Sequence, residues 1–302
     1  MTSRVTMAAT IPTMQYGNLQ PSFEVEAETH DAAMDLALKK IKELWDRTAE
    51  KPLIIDKTAP PPAPPPGEIL RCKVSGTAVH FDPIRHIYTG PDGERWFGGS
   101  TFASRFKSKF AGELIAGKMA VKHGVDSREI LAMWALNAEA SSTLGTAVHA
   151  ALQLYGEYRE LSAKTKEGSV ESALTKNPVL RPLVESFFET REGEKAFYEA
   201  FVADPVLKHC GLIDRLVIDD DGLWIEDYKT NADIQKSETI LEPFKGVVPN
   251  TSLGAYWLQL SFYARILISH GRTIKGLRVH HWAGDHWDTH EHPVVDLTPA
   301  LT

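Results

Sequence analysis

The chain has 302 residues, of which 43% are hydrophobic and 24% charged, the composition of an ordinary globular protein with one large domain or two smaller ones. Its net charge of −7 argues against a protein that coats nucleic acid non-specifically, but it is compatible with one local basic surface. No apolar run approaches the roughly 20 residues of a membrane span, and the first residues lack the apolar core of a signal peptide. We therefore expect a cytoplasmic protein with no membrane partner.

The two cysteines, Cys72 and Cys210, lie far apart in the sequence. This spacing cannot form a CxxC metal knuckle or a four-cysteine cluster, and it argues against a disulfide framework. The cysteine pattern therefore favours a reducing compartment such as the cytosol.

The first part of the chain predicts a small βα appendage over residues 1–58. Residues 22–28 alternate like a strand, and residues 30–49 have the apolar periodicity of a helix. The proline run APPPAPPPGE at 59–68 then predicts an extended, semi-rigid linker. Either the appendage or the proline run is a candidate contact for a protein partner.

Residues 69–302 are predicted to form one α/β domain. Its first part, 69–98, reads as strands with turns at Asp82-Pro83 and at 90–93, and 101–158 is mostly helical, with a helix predicted over 140–157 from capping serines. Further helices are predicted at 174–191 and 252–271, and further strands at 194–204, 274–282 and 286–294, with a hairpin within 211–230. This order of elements predicts a core with a mixed sheet.

The segment 105–122 is rich in positive charge and contains a single acid, Glu113. Its cations are Arg105, Lys107, Lys109, Lys118 and Lys122. Two interpretations remain open: a solvated helix face, or a surface that contacts DNA phosphates.

The hairpin GLIDRLVIDDDGLWIEDYKT at 211–230 has an aspartate on each apolar strand. Residues two apart on a strand share a face. If Ile218 pairs with Leu223 across the acidic turn, Asp214 lies directly opposite Asp227 on a largely apolar face.

Two carboxylates in that position need a compensating cation. Like charges opposite each other destabilise a sheet, and a buried carboxylate without a partner protonates or requires a positive charge. A hard divalent ion such as Mg²⁺ or Mn²⁺ would satisfy both oxygens, and Lys229 on the same face would orient a water or stabilise negative charge. The alternative is a structural Asp–Lys ion pair at a sheet end, with Asp214 open to water.

An aspartate on one strand followed by D-x-K on the next resembles the PD-(D/E)XK nuclease superfamily. Further motifs of its RecB-like exonuclease branch occur in the same order. They are GTAVH at 145–149, Glu199 on the strand before the hairpin, and the Q-x-x-x-Y pair Gln259 and Tyr263. The chain resembles the phage exonucleases of this branch and the mitochondrial genome maintenance exonuclease. CRISPR-associated relatives hold an iron–sulfur cluster on four cysteines, which this chain cannot supply.

The resemblance implies a restriction-endonuclease-like α/β core, in which helices flank a mixed central β-sheet and the helical region 101–158 forms an arch. It implies a Mg²⁺- or Mn²⁺-dependent DNA exonuclease in phage-type replication, recombination or repair. The expected substrate is DNA with single-stranded character or free ends. A phage-encoded protein would act in the cytoplasm of the bacterial host.

The resemblance also implies roles for individual residues. His149, Asp214, Asp227 and the backbone carbonyl of Tyr228 would bind the metal, with Asp214 and Asp227 also counted as catalytic. Lys229 would position or activate the attacking water.

Other residues are implied as support for the site. Glu199 would assist the acids, while Gln259 and Tyr263, one helical turn apart, would brace the site or touch DNA. Gln153 occupies a place where many relatives carry a glutamate. Because its amide brings no charge, the number of metal ions stays open.

Two rival functions remain. One is a structure-specific or nicking endonuclease on the same fold. The other is a non-catalytic DNA-binding subunit of a recombination complex, although retention of the acidic pair and the lysine argues against it.

The C-terminal region is rich in histidine but lacks the standard ligand spacing of a zinc site. The residues are His280, His281, His286, His290 and His292.

Overall fold

A computed structural model describes residues 3–8, 11–13, 17–19, 22–48, 67–83, 85–165 and 173–300. The chain divides into two compact units, Met1–Pro65 and Pro66–Thr302. The predicted boundary at residue 58 and most of the predicted linker 59–68 lie outside the described residues. Within the described residues, no helix is both long and apolar enough to cross a bilayer.

The first unit combines short strands with one helix. Its elements are β1 Ser3–Ala8, β2 Ile11–Thr13, β3 Gly17–Leu19, β4 Ser22–Ala27 and α1 His30–Thr48. Strands β1 and β4 pair antiparallel, as do β2 and β3. The strand and helix expected here are confirmed as β4 and α1, whereas β1, β2 and β3 were not predicted.

The second unit alternates strands and helices. Its strands are β5 Glu68–Arg71, β6 Ala78–Asp82, β7 Ile87–Thr89, β8 Arg95–Gly98, β9 Lys195–Asp204, β10 His209–Asp219, β11 Gly222–Lys229, β12 Ile274–Trp282 and β13 Trp287–His292. Its helices are α2 Gly99–Arg105, α3 Gly112–His123, α4 Ser127–Thr165, α5 Leu180–Glu189 and α6 Ser252–Ser269.

In the described part of this unit, nine strands form one mixed sheet in the order β13-β12-β11-β10-β8-β7-β6-β5, with β9 also paired to β10. Strand β10 is antiparallel to β9 and β11 and parallel to β8, while β11 is parallel to β12. The hairpin β10–β11 therefore lies at the centre of the sheet, with partners on both sides.

Helices cover both faces of this sheet. On one face, α6 and α2 bury an apolar cluster that includes Trp257 and Leu258 against Leu216 and Ile225 of the hairpin. On the other face, α4 and α5 pack on the ring of Tyr228 and its neighbours. The mixed sheet between two helical layers confirms the α/β, restriction-endonuclease-like fold expected from the sequence.

Helix α4 begins earlier than predicted. The helix expected over 140–157 is the middle of a helix that starts at Ser127, where the Asp126 carboxylate accepts a hydrogen bond from the Arg128 N–H at 2.8 Å. Ser141 and Ser142 are helix-interior residues rather than caps. The expectation was wrong because a serine that suits a cap is also tolerated on an exposed helix face.

Candidate active site

The hairpin adopts the register predicted from its turn. Ile218 pairs with Leu223, and the pairing runs on to Arg215 opposite Glu226. Continued by one position, this register would set Asp214 across from Asp227, and the charge of Asp214 contributes to the raised pKa of Asp227. The predicted pairing of Ile218 with Leu223 is therefore confirmed, and the two acids lie close enough to interact.

Asp214 is held by the hairpin and by helix α4. Its Oδ2 accepts a hydrogen bond from the Tyr228 N–H at 2.9 Å and lies 3.4 Å from Nδ1 of His149. Burial works against ionisation, but the imidazole of His149, the Lys229 ammonium and the Tyr228 N–H together outweigh it and lower the pKa of Asp214 below its usual value. Asp214 is thus held as a carboxylate, whereas the alternative interpretation required it to be open to water.

Asp227 is buried, with 4% of its surface exposed, and forms an ion pair with Lys229. Burial raises the pKa of Asp227, Lys229 opposes this shift, and the Asp214 carboxylate adds to it, so that the pKa is about 6. Lys229 alone does not balance this pair of acids, and without a metal the second positive charge comes from the imidazole beside Asp214. A divalent ion could replace that proton on the imidazole.

His149 reaches the hairpin because α4 passes close to the end of β11. A Cβ at position 145 would lie 3.4 Å from the Thr230 hydroxyl, an ordinary contact distance, which shows how closely the helix passes the end of the strand. The Nε2 of His149 lies 3.0 Å from the Tyr228 carbonyl oxygen, the geometry of a ring N–H donating to that carbonyl. Burial opposes protonation, but Asp214 outweighs it and raises the pKa of His149 to about 9.

Glu199 interrupts strand β9 beside the hairpin. The residues on either side pair regularly, Ala200 with Ile213 and Tyr198 with Arg215, but Glu199 has a left-handed φ of 43°. For a residue with a side chain, such backbone geometry costs on the order of 1–3 kcal/mol. Burial, followed by the charge of Asp214, raises the pKa of Glu199 to about 7.

His149, Glu199 and Asp214 converge at one point. One ligand atom from each lies within 4.8 Å of the others. Carboxylate oxygens suit Mg²⁺ or Mn²⁺, and a ligating imidazole commonly donates its other ring N–H to a backbone carbonyl, as the Tyr228 carbonyl permits here. The residues therefore fit a divalent ion, with Nδ1 of His149 as the nitrogen facing it.

Tyr256 is a part of the site that the sequence analysis did not identify. Its ring centroid lies 4.7 Å from the Lys229 ammonium, and its hydroxyl lies 3.5 Å from Oδ1 of Asn231. A tyrosine three residues before Gln259 shares its helix face, and this spacing was the available signal. The ring thus forms a cation–π contact with the Lys229 ammonium.

Gln153, one turn after His149, contacts Glu157, a further acid on the same helix. Its Nε2 donates to Oε1 of Glu157 at 3.2 Å, and Glu157 contributes to the raised pKa of Glu199. Sequence reasoning did not single out Glu157. The carboxylate that Gln153 lacks is thus present one helical turn further along α4.

Gln259 and Tyr263 lie on the sheet side of α6. Gln259 Nε2 donates to the Tyr263 hydroxyl at 3.4 Å, and Tyr263 is buried against Gly99 and Gly211. Burial raises the pKa of Tyr263 well above its usual value, with a contribution from the Asp227 charge. The burial of Tyr263 favours the bracing role over direct contact with DNA.

The sequence profile of the PD-(D/E)XK nuclease superfamily matches residues 122–283, more than half of the chain. The chain belongs to this superfamily. The matched region runs from the end of α3 to the end of β12 and includes the whole cluster described above. A PD-(D/E)XK nuclease hydrolyses DNA, and members of the superfamily use divalent metal ions.

Other comparisons add little to this assignment. No curated protein matches the chain. A solved structure titled "Crystal structure of SSO0001" is similar at 13% identity and a TM-score of 0.25, covering 49% of this chain and 68% of that one. A likeness this weak carries no argument about the nuclease.

The predicted DNA-binding cations do not lie on one helix. Arg105 ends α2, Lys109 lies in the following loop, and Lys118 and Lys122 are exposed one turn apart on α3. Lys107 lies 3.5 Å from Glu238, so part of its charge is balanced. Their role in DNA binding by the nuclease stays a prediction.

The C-terminal histidines have separate surroundings. Nε2 of His280 contacts Glu226 at 3.0 Å, and Nε2 of His281 contacts the Asn231 carbonyl at 2.7 Å. The His292 ring stacks on Trp257 with centroids 5.2 Å apart. His286 lies beside Asp285 and Asp288, and His290 lies on β13.

The face of the hairpin opposite the acids carries a buried ionic network that sequence reasoning missed. Arg215 and Glu226, each 1% exposed, are joined at 2.6 Å, and Glu194 and Arg278 extend the network. Burial opposes ionisation of Glu226, but His280 and Arg215 outweigh it and lower its pKa to about 2. The network fixes the strands that carry Asp214 and Asp227 in register.

Proposed function

We propose that this nuclease is a metal-dependent DNA exonuclease of the RecB-like branch, acting in replication, recombination or repair. The observation that carries the proposal is the convergence of His149, Glu199 and Asp214 beside Asp227 and Lys229. The order of these residues along the chain is that of the exonuclease branch. Free DNA ends or single-stranded segments are the proposed substrate.

Each residue of the site has a proposed role in metal binding. Asp214, Asp227, Glu199 and Nδ1 of His149 would hold Mg²⁺ or Mn²⁺. When bound, such an ion supplies Lewis-acid stabilisation of the phosphate and the leaving oxygen. The imidazole N–H donates to the Tyr228 carbonyl, so this carbonyl orients the ring. We propose this orienting role for the carbonyl in preference to direct binding of the metal ion.

Lys229 would position the attacking water. Burial lowers the pKa of its ammonium, but Asp227 and Asp214 outweigh this and raise it, so the side chain stays charged. A charged ammonium donates hydrogen bonds and cannot accept a proton. Its proposed role is therefore to orient water and stabilise the negative charge that develops on the phosphate.

The test compares DNA forms and variants. Wild-type protein, Lys229→Ala and Asp214→Asn are incubated with end-labelled single- and double-stranded DNA and with a covalently closed circle, each with Mg²⁺, Mn²⁺ or chelator. Asp221→Asn, an exposed change at the hairpin turn, is the matched control. We expect metal-dependent loss of linear DNA by wild type and control, loss of this activity in both site variants, and an intact circle.

Two other outcomes would overturn the proposal. Cleavage of the closed circle would identify the endonuclease alternative. Absence of both metal-dependent cleavage and calorimetric Mn²⁺ binding would identify the non-catalytic DNA-binding alternative. Activity that survives in clean Lys229→Ala preparations would contradict the assigned role of the lysine.

A further inference from the structure

A cavity of about 310 Å³ lies between strands β7 and β8 and helix α2. Its lining includes His86, Arg95, Phe97, Thr101 and Arg105. Among the described residues that line it, none carries a carboxylate. A cavity of this size is at the lower end of the range of about 300–1,000 Å³ for small-molecule sites, which suits one nucleotide better than a duplex.

The cavity concentrates positive charge in an acidic protein. Arg95 and Arg105 are both exposed, and within the described part of the chain neither guanidinium is paired with a carboxylate. The Arg105 guanidinium lies over the Phe97 ring, 4.1 Å from its centroid. Two such groups offer the planar, multiple donors that recognise a phosphate.

The same cavity offers an exposed ring. Arg105 already covers the Phe97 ring, which also contacts Phe262, so His86 is the ring in the lining that is open to a base. It is held with a left-handed φ of 51° and its ring edge-on to Tyr88, centroids 5.8 Å apart. Aromatic rings next to arginines form a stacking platform for a nucleobase. The lining therefore combines contacts for both parts of a nucleotide, the phosphate and the base.

The cavity adjoins the acidic cluster. Gly98 at its edge pairs with Cys210, four residues before Asp214 on β10, which corresponds to about 13 Å along the strand. Tyr88 in the lining is also influenced by this cluster, since burial, Cys210 and the Glu199 charge all raise its pKa. A DNA strand advances about 3.4 Å per nucleotide along a duplex and further when extended. The cavity thus lies a few nucleotides from the cluster.

We propose that this cavity binds one nucleotide of the DNA strand a few positions from the scissile phosphate. Arg95 and Arg105 contact its phosphate, Phe97 supports the Arg105 guanidinium from below, and the ring of His86 contacts its base. The inference rests on the proposed DNA-cleaving function, and it extends that function by naming where the strand is held outside the metal site.

The experiment measures binding without cleavage. Full-length protein with Asp227→Asn is titrated, in chelator, against a fluorescent oligothymidylate by anisotropy. Arg95→Ala and Arg105→Ala are added singly and together, and Arg272→Ala, an exposed arginine at the turn after α6, is the matched control. Melting curves check that each variant is folded.

Replacement of either cavity arginine by alanine should raise the Kd for oligothymidylate about tenfold, as expected for a lost charged hydrogen bond. Each of these variants should also reduce the slope of log K against log salt by about 1, while Arg272→Ala leaves the Kd and the salt slope unchanged. An abasic oligonucleotide should bind wild type more weakly than oligothymidylate but respond equally to the arginine variants. Free thymidine monophosphate should compete with the oligothymidylate.

The inference is overturned if both arginine variants bind like Arg272→Ala, or if the salt slope does not change. Equal binding of abasic and normal strands would overturn the base contact. These failures are distinct from failure of the exonuclease proposal, because binding is measured without metal and cleavage is measured separately on the wild-type protein. Cavity-dependent binding without any metal-dependent cleavage would overturn the exonuclease proposal alone.

Discussion

Replacing Asp227 by asparagine should stabilise the metal-free protein at neutral pH. Burial, only partly offset by Lys229, and the charge of Asp214 raise the pKa of Asp227 from 3.8 to about 6. At 1.36 kcal/mol per pKa unit, the ionised carboxylate costs the folded chain about 3 kcal/mol. Asparagine keeps the shape of the side chain and removes the charge, so most of this cost should disappear.

The sign of the effect fixes its pH dependence. Because the pKa in the folded chain lies above that in the unfolded chain, the protonated carboxyl stabilises the fold below about pH 3.8. That stabilisation is lost as the pH rises through about 6. The free energy of unfolding of Asp227→Asn should therefore exceed that of wild type by about 3 kcal/mol above pH 7 and by little near pH 4.

Urea unfolding in chelator, followed by tryptophan fluorescence, measures the difference at both pH values. Asp221→Asn makes the same chemical change at the exposed hairpin turn and should have almost no effect. A variant less stable than wild type at neutral pH, or a gain of equal size near pH 4, would refute the buried-charge explanation. Mn²⁺ should then stabilise wild type more than Asp227→Asn if the carboxylate is a ligand.

Three further substitutions test other contacts. Glu226→Gln should lower the free energy of unfolding by roughly 3–5 kcal/mol, because Arg215 would lose its buried partner, and a loss near zero in urea would contradict this. Tyr256→Leu should lower kcat about tenfold with calorimetric Mn²⁺ affinity unchanged, because the Lys229 ammonium loses its ring contact, and Tyr256→Phe should restore the rate. Gln153→Glu should tighten Mn²⁺ binding and reduce metal-free stability by adding a carboxylate beside another, and unchanged affinity would exclude this position from the ion's surroundings.

The hairpin was predictable because its determinants are local. A short acidic turn and a side-chain period of two fix the register from Asp219–Gly222 to Arg215–Glu226, and continuing it by one position brings Asp214 to Asp227. The position of Glu199 followed from the resemblance, but its left-handed backbone did not, since nothing in the residues around it signals that geometry. That geometry is specified by the paired strands on either side.

Contacts between elements that are distant in the sequence could not be predicted from the sequence. Arg215 and Glu226 alternate with apolar neighbours just as Asp214 and Asp227 do, but the histidine that completes their network comes from β12. The role of Tyr256 depends on how α6 is rotated against the sheet, which its largely apolar sequence leaves open. Periodicity assigns residues to a face and does not identify what covers that face.

The two faces of the hairpin show why one of them is suited to an ion. Glu226 and Asp227 are adjacent and both buried, but the pKa of Glu226 is lowered to about 2 while that of Asp227 is raised to about 6. The difference lies in the supply of cations, since guanidiniums and an imidazole surround Glu226, whereas Asp227 shares one ammonium with neighbouring acids.

The balanced face can therefore hold the strands firmly while the other face keeps an excess of negative charge. Glu199 adds to that excess at the cost of a strained backbone, and its own pKa is raised to about 7. A chain selected for stability alone would gain from removing this acid. Its presence beside Asp214 is accounted for when a divalent ion balances both charges, which is the condition the proposed hydrolysis requires.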